Sequence, residues 1–334
     1  MPQGLRRPFF SVGVTAFRRR DLLRETLASL QAQIFSDFEV LVGNDDPAEE
    51  LAAEAFGISD ARIRFINHPR NLGEIGNMNA LLAASQARYF TWLADDDCFQ
   101  PGFLARVREA IARHGFPPAV VTNYGAGQYY QAQAPAAVAE RVFSGRAFLD
   151  EFLCQRVRAI GSSAVLAREV LRRWGGASRL GTGTPLYTDT LLAIKLGRLE
   201  RVVYLEAPLI FLRTHARSQS WISTDAAGYQ SAQEALCQES IAVFRTEHLR
   251  GRFDWYLFQL LRVWCVSYYY KVLRRSSLSA LAALPGYWRF IWRTSQHMSR
   301  FRLRLLAALV RQTWWLAVSC LHRLVPAAGQ KAGV

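Results

Sequence analysis

The chain has 334 residues, 51% of them hydrophobic and 20% charged. This composition excludes intrinsic disorder and fits one large domain, or a domain with an appendage. The net charge of +14 is uneven: up to Asp254, 29 basic residues face 27 acidic ones, whereas beyond it twelve Lys and Arg meet no acid at all. Five scattered cysteines, Cys98, Cys154, Cys237, Cys265 and Cys320, lack the paired spacings of metal or redox sites and read as free thiols of a reducing compartment. The short basic start leads into a strand without an apolar leader, so a cytoplasmic protein without a signal peptide is expected.

Phe9 to Ala16 is rich in β-formers and predicts a first strand. Asp21 is a plausible helix N-cap after it, and Leu22, Leu23, Leu27 and Leu30 give the helix an apolar stripe. Phe38–Gly43 is a second strand running into Asn44-Asp45-Asp46-Pro47, and Ile63–Asn67 a third. The turn Pro69–Gly73 precedes a helix over about Glu74–Ser85. Tyr89–Leu93 is a fourth, buried strand that ends abruptly in Asp95-Asp96-Asp97. This alternation argues for an α/β fold with a doubly wound, mostly parallel sheet flanked by helices.

Past Pro101 the rhythm loosens. Val107–Ile111 reads as helix, Ala119–Thr122 as strand, Gly125–Gln133 as irregular, Gly145–Leu153 as helix and Ile160–Leu166 as part of an antiparallel edge. Gly175–Pro185 is a Gly/Thr/Ser loop that opens a helix with Asp189 in its first turn, where a carboxylate also suits the helix dipole. Val202–Phe211 is strand-like and ends in a polar, basic loop with Arg213, His215 and Ser218.

From about Gln233 only helix is expected. Six of the nine tryptophans (Trp255, Trp264, Trp288, Trp292, Trp314 and Trp315) fall in this tail among Arg and Leu. The run Leu305–Leu321 contains Arg311 and is short for a span, and Leu278–Trp292 is broken by Pro285-Gly286. Amphipathic helices lying on an anionic membrane surface, through residues 255–325, fit better than spanning ones. An ordinary helical core with a basic outer face is the plainer alternative. A nucleic-acid surface fits less well, because the aromatics sit among leucines at helical spacing.

In doubly wound sheets ligands bind beyond the carboxyl ends of the strands. The turns after strands one, two and four would therefore converge on one cleft. Three adjacent carboxylates repel one another, and a divalent metal with oxygen ligands is the simplest relief. An acidic solvated turn is the bland alternative.

Taken in order, these motifs resemble family 2 glycosyltransferases of the GT-A fold over roughly residues 9–222. The opening strand followed by Phe17-Arg18-Arg19, Leu23, Ser29-Leu30 and Gln33, the Asn71-Leu72-Gly73 turn with Asn77 and Asn79, and Leu93–Pro101 carry the likeness, with Asp189 and the Arg213-x-His215-x-x-Ser218 loop. The resemblance implies a catalytic domain over 1–232, with a nucleotide-sugar half to about residue 100 and an acceptor half to 232, followed by a helical region over 233–334. It implies inverting sugar transfer from a nucleotide-sugar donor to a hydroxyl acceptor, with Asp189 as general base. The acceptor expected from the basic tail is a lipid-linked or lipopolysaccharide-type glycan, which would place the protein at the inner face of the cell membrane. Thr15, Phe17, Arg19, Asn44, Asp45, Asn71, Gly73, Asn77, Asp95 and Asp96 are expected to bind the donor nucleotide. Arg213, His215 and Ser218 would close on its diphosphate, and Trp221 would wall the acceptor. Asp95, Asp97 and His215 would hold Mn2+ or Mg2+ against the leaving group. Two departures stand out: Ala94 replaces the first Asp of the usual acidic motif, and Asn44 stands where a base-reading Asp is common. A non-catalytic module of the same fold, or a nucleotidyltransferase, would share these features. The first would not hydrolyse donor, and the second usually opens with a Gly-rich phosphate loop, which the first strand here lacks.

Overall fold

The computed structural model describes residues 7–133, 138–181, 186–215, 225–275 and 278–324. It divides into two compact units, Met1–Arg179 with Thr188–Ala216 and Leu180–Tyr187 with Arg217–Val334. The helix Ala226–Phe244 belongs to the second unit and contacts the helices that follow it.

The first unit is built on a nine-stranded sheet. Its parallel half holds β1 (Phe10–Ala16), β2 (Phe38–Asn44), β3 (Ile63–Asn67) and β4 (Tyr89–Ala94), in the spatial order β3-β2-β1-β4. Helices α1 (Arg20–Gln31) and α2 (Gly73–Ala84) supply the crossovers. Every residue of β2, and all but Thr15 of β1, is buried, as strands covered on both faces must be. The sheet continues through β5 (Cys98–Phe99), β6 (Ala119–Gly127), β7 (Glu140–Phe143), β8 (Ala164–Ala167) and β9 (Val202–Arg213). Between β5 and β9 the chain also forms α3 (Phe103–Arg113), α4 (Gly145–Leu153), α5 (Arg168–Arg173) and α6 (Thr188–Leu196).

Three local expectations change. Asp21 is not the N-cap of α1; it lies in the first turn, and Arg19 occupies the cap without a side-chain bond. The strand near Ile160–Leu166 is not an edge, since β8 lies antiparallel between β4 and β6. The stretch after Thr122 is not wholly irregular: β6 runs on to Gly127 because the long β9 pairs along its whole length, across two register shifts.

The second unit is helical. It contains α7 (Ala226–Phe244), α8 (Phe253–Gln259), a π-helical stretch Leu260–Ser267, α9 (Tyr268–Arg275), α10 (Leu284–Ser295) and α11 (Arg302–Leu324). Its interior is rich in tyrosine: Tyr256, Tyr269, Tyr270 and Tyr287 are fully buried, and Tyr269 stacks on Tyr287 with ring centres 3.6 Å apart. Buried Gln233 donates to the Tyr187 hydroxyl at 2.7 Å and accepts from the Tyr287 hydroxyl at 2.9 Å, so both of those hydroxyls are hydrogen-bonded. Pro285 opens α10 at its first turn, where a missing N–H does no harm. Among the described residues no helix is long and apolar enough to cross a membrane.

At the carboxyl edge of the parallel strands, α2 approaches β2 as closely as side chains allow. A Cβ on Gly43 would lie 2.0 Å from Asn77 Oδ1. Asn77 is buried and donates from Nδ2 to the Gly43 carbonyl at 2.7 Å, while its Oδ1 meets His68 Nε2 at 3.0 Å. Gly43→Ala is therefore expected to lower stability by about 2 kcal/mol, the usual penalty of overpacking, read as a reduced denaturant midpoint with unchanged slope.

Candidate active site

The registers of the parallel strands bring three loops together. Thr15 stands opposite Gly43 on one side and Ala94 on the other, so the residues that follow, Phe17 to Arg19, Asn44 to Asp46 and Asp95 to Asp97, leave the sheet at one edge.

The acidic triplet is the electrostatic centre. Asp95 is fully buried and accepts from the Phe17 N–H at 3.0 Å. The Arg19 guanidinium bridges its neighbours, bonding Asp95 through Nη2 and Asp96 through Nη1 at 2.7 Å. His215 Nε2 reaches the same Asp96 Oδ2 at 2.9 Å. Asp97 turns the other way and accepts from the Arg213 N–H at 3.0 Å, while the Arg213 side chain donates to the Asp96 carbonyl and ion-pairs with Glu25 at 2.5 Å. The first loop and the end of β9 are thus tied to the triplet from opposite sides.

These contacts do not fully balance the charge. Burial pushes the Asp95 carboxyl up to about 6 against the pull of Arg19. Burial, and then repulsion from Asp96, hold Asp97 well above the usual carboxylate range. The cluster is short of positive charge, and its oxygen-rich donor set fits a hard divalent ion in type. Among the described residues, however, no three His, Cys, Asp or Glu side chains already converge as a metal centre. Asp95, Asp97 and His215, expected as one ligand set, are directed to separate partners, with Asp96 as the carboxylate that His215 and Arg19 share.

Asp189 opens α6. By accessible area it is exposed, yet protein surrounds it on its other sides, and this desolvation raises its carboxyl while the Gly161 N–H draws it back down. The fit is close: a Cβ on Gly161 would lie 2.5 Å from Asp189 Oδ1. Glu74, in the first turn of α2, is exposed in the same partial sense. Desolvation, then repulsion from Asp189, pushes its carboxyl up to about 7, with Arg19 opposing and Asp96 and Asp95 adding repulsion. Nothing in the sequence singles out Glu74, since an acid in a first helical turn is ordinarily a dipole partner.

Several expected donor contacts turn out to build the loops instead. Asn44 is buried; its Nδ2 donates to Asn67 Oδ1 at 2.9 Å, and its Oδ1 accepts from the Asp46 N–H at 3.1 Å. Both ends of this amide are thus engaged within the loop. Asn77 holds β2 as described above, and Arg19 is committed to the triplet. Asp45 accepts from the Leu72 N–H at 2.6 Å and receives Asn71 Nδ2 on its carbonyl at 3.0 Å, which locks the turn before α2. Gly73 closes that turn with a left-handed φ of 72°, a conformation glycine adopts without strain. Phe17 is 41% exposed, enough to offer a ring face, and Arg18, itself at φ 57°, lies over that ring while pairing with Asp46 at 2.8 Å. Ser218 and Trp221 lie outside the described residues.

The signature of Glycosyl transferase family 2 matches residues 11–175. A GalNAc(5)-diNAcBac-PP-undecaprenol beta-1,3-glucosyltransferase of Campylobacter jejuni is 31% identical over 105 residues, covering 30% of this chain and 34% of that protein. An uncharacterized glycosyltransferase of Haemophilus influenzae is 28% identical over 102 residues, covering 30% of this chain and 32% of that protein. The chain thus spans about a third of the length of these curated relatives. Among solved structures, S. aureus TarS 1-349 in complex with UDP-GlcNAc superposes with a TM-score of 0.65 at 13% identity, over 95% of this chain and 92% of that one. At that identity the likeness speaks for the fold, which is that of GT-A glycosyltransferases. Through residues 11–175 the chain belongs to family 2 of the glycosyl transferases.

Proposed function

We propose that the protein is an inverting glycosyltransferase that moves a sugar from a nucleotide-sugar donor to a hydroxyl of a lipid-linked or lipopolysaccharide-type glycan at the inner face of the cell membrane. The observation that carries this reading is the pairing of two unlike carboxylate sites in one unit. One is a buried, under-compensated triplet contacted by Arg19 and His215; the other is an open, desolvated Asp189 seated on Gly161. The first could hold a divalent ion against a departing diphosphate, and the second suits an attacking hydroxyl. The solved neighbour in complex with UDP-GlcNAc and the C. jejuni relative named for an undecaprenol-linked glycan support the donor and acceptor classes.

In this mechanism Phe17 offers its exposed ring to the nucleobase, and the turn Asn71–Gly73, fastened by Asp45, shapes the floor beside it. Asp96 and Asp97, with Asp95 behind them and His215 alongside, would hold a divalent ion. When bound, that ion supplies the positive charge that stabilises the leaving diphosphate. Arg213, braced by Glu25, keeps the β9 loop against the triplet. Asp189 takes the acceptor proton as the hydroxyl attacks; its raised affinity for protons makes it a stronger base than an ordinary surface carboxylate. A single base with direct displacement inverts the anomeric centre.

The test is thermal stabilisation by UDP, GDP, CMP and dTDP, each with and without Mn2+. One nucleotide is expected to raise Tm only with the metal, through a stabilisation of about 2.7 kcal/mol at a hundredfold excess over Kd, and Asp97→Ala is expected to abolish the shift. No shift with any nucleotide would count against the donor site. Asp189→Asn should keep that shift while lowering kcat by about 10²–10⁴, the range for loss of a general base. An equal loss of nucleotide binding would place Asp189 elsewhere in the reaction.

Titration gives an independent check. Glu74 and Asp95 hold protons in the folded state up to about 7 and about 6, against ordinary values of 4.5 and 3.8. Between about pH 4 and 7 the folded state therefore binds protons that the unfolded chain has released. The stability these groups contribute is full below that window and is lost as pH rises through it. Glu74→Gln, which cannot ionise, should gain Tm relative to the native protein as pH rises across the window. A constant difference in Tm would refute the raised Glu74.

A further inference from the structure

We infer that the outward face of α11 is a docking surface for an anionic lipid bilayer. This rests on the reading of a membrane-held acceptor and names the part of the chain that would meet the membrane. Leu305, Ala308, Leu309 and Leu316 point into the helical unit and are buried. Opposite them, Leu303, Ala307, Val310, Trp314 and Ala317 recur at alternating steps of four and three residues and are all exposed. At 100° per residue those steps keep the five within one narrow stripe along the helix. Leu303 is 83% and Trp314 69% exposed, the reverse of what such side chains favour in water. Arg304, Arg311 and Trp315, also exposed, lie along one flank. The preceding helix repeats the pattern on a smaller scale, with exposed Trp292 on α10 between exposed Arg289 and Arg293.

Charge decides between occupants. Beyond Asp254 the sequence has no acidic residue, and Asp254 itself is engaged at the turn before α11, accepting from the Ser299 N–H, the Ser299 hydroxyl and the Arg300 N–H. A second copy seated on the stripe would set arginine against arginine, since helical pairs of this spacing rely on opposite charges at their flanks. A nucleic acid would meet an apolar centre line where it offers phosphate. An anionic bilayer satisfies both features, taking leucine, valine and tryptophan into its interface and arginine against its headgroups.

The experiment is flotation of the full chain with vesicles of phosphatidylcholine alone and of phosphatidylcholine with phosphatidylglycerol, at low and high salt. Binding is expected only to the phosphatidylglycerol vesicles, fading with salt. Val310→Glu with Trp314→Glu, both at exposed positions, should weaken it by about tenfold or more while leaving Tm and the nucleotide-induced shift intact. Equal vesicle binding by the variant, absence of binding to either vesicle, or self-association on a sizing column that the variant abolishes would each overturn the assignment. Vesicle binding that is lost in the variant, in a protein that shows no nucleotide shift, would uphold the surface and count instead against sugar transfer.

Discussion

Three carboxylates forced together at the end of one buried strand are the constraint around which the first unit is arranged. β4 must be apolar to lie inside the sheet, and it delivers Asp95, Asp96 and Asp97 to an edge where desolvation, and after it repulsion from Asp96, disfavour the charge of Asp95 and Asp97. The neighbouring loops answer that field. Arg19 bridges two members, His215 meets the second, and the backbone N–H groups of Phe17 and Arg213 turn toward the first and third. Because these partners come from the loop after β1 and from the end of β9, electrostatics fastens together segments that are far apart in sequence.

The compensation is partial, and that is chemically useful. A fully neutralised cluster would have no further use for a cation, whereas carboxyls held above their ordinary range still attract one. Arg19 and His215 meet on the same Asp96 carboxylate, one from the loop after β1 and the other from beyond the end of β9. The other carboxylate pair follows a different logic. Asp189 and Glu74 are open to solvent on one side and hemmed in on the others, which raises both without committing either to an arginine. One unit therefore carries two groups of carboxylates in unlike environments, one buried and bridged by Arg19, the other open to solvent on one side.

The helical unit shows division of labour of another kind. Stacked tyrosine rings, and one buried glutamine bonded to the Tyr187 and Tyr287 hydroxyls, lie in its interior, while leucine and tryptophan face outward on α11. Apolar residues spent on the outside of a helix carry a penalty in water. That penalty makes sense where another phase covers them, and the absence of acidic residues after Asp254 selects a negatively charged one.

Much of this was legible in the chain by itself. Runs of β-formers and apolar residues marked β1 to β4, an apolar stripe marked α1, and the ordered motifs from Phe17 to His215 carried the likeness to the family, because local patterning is set by what each element must bury. The uneven charge of the tail was equally plain, since it needs only counting. What the sequence could not decide is which polar side chains are free. Asn44, Asn77 and Arg19 read as donor contacts, yet buried backbone groups and the acidic triplet claim them first, because a polar group removed from water takes the nearest partner. Glu74 was invisible because its neighbour Asp189 lies far along the chain, and β8 read as an edge because its two partners come from strands on either side of it. These are outcomes of tertiary placement: the same residue is a ligand, a brace or a base according to which charges and carbonyls the fold brings within reach.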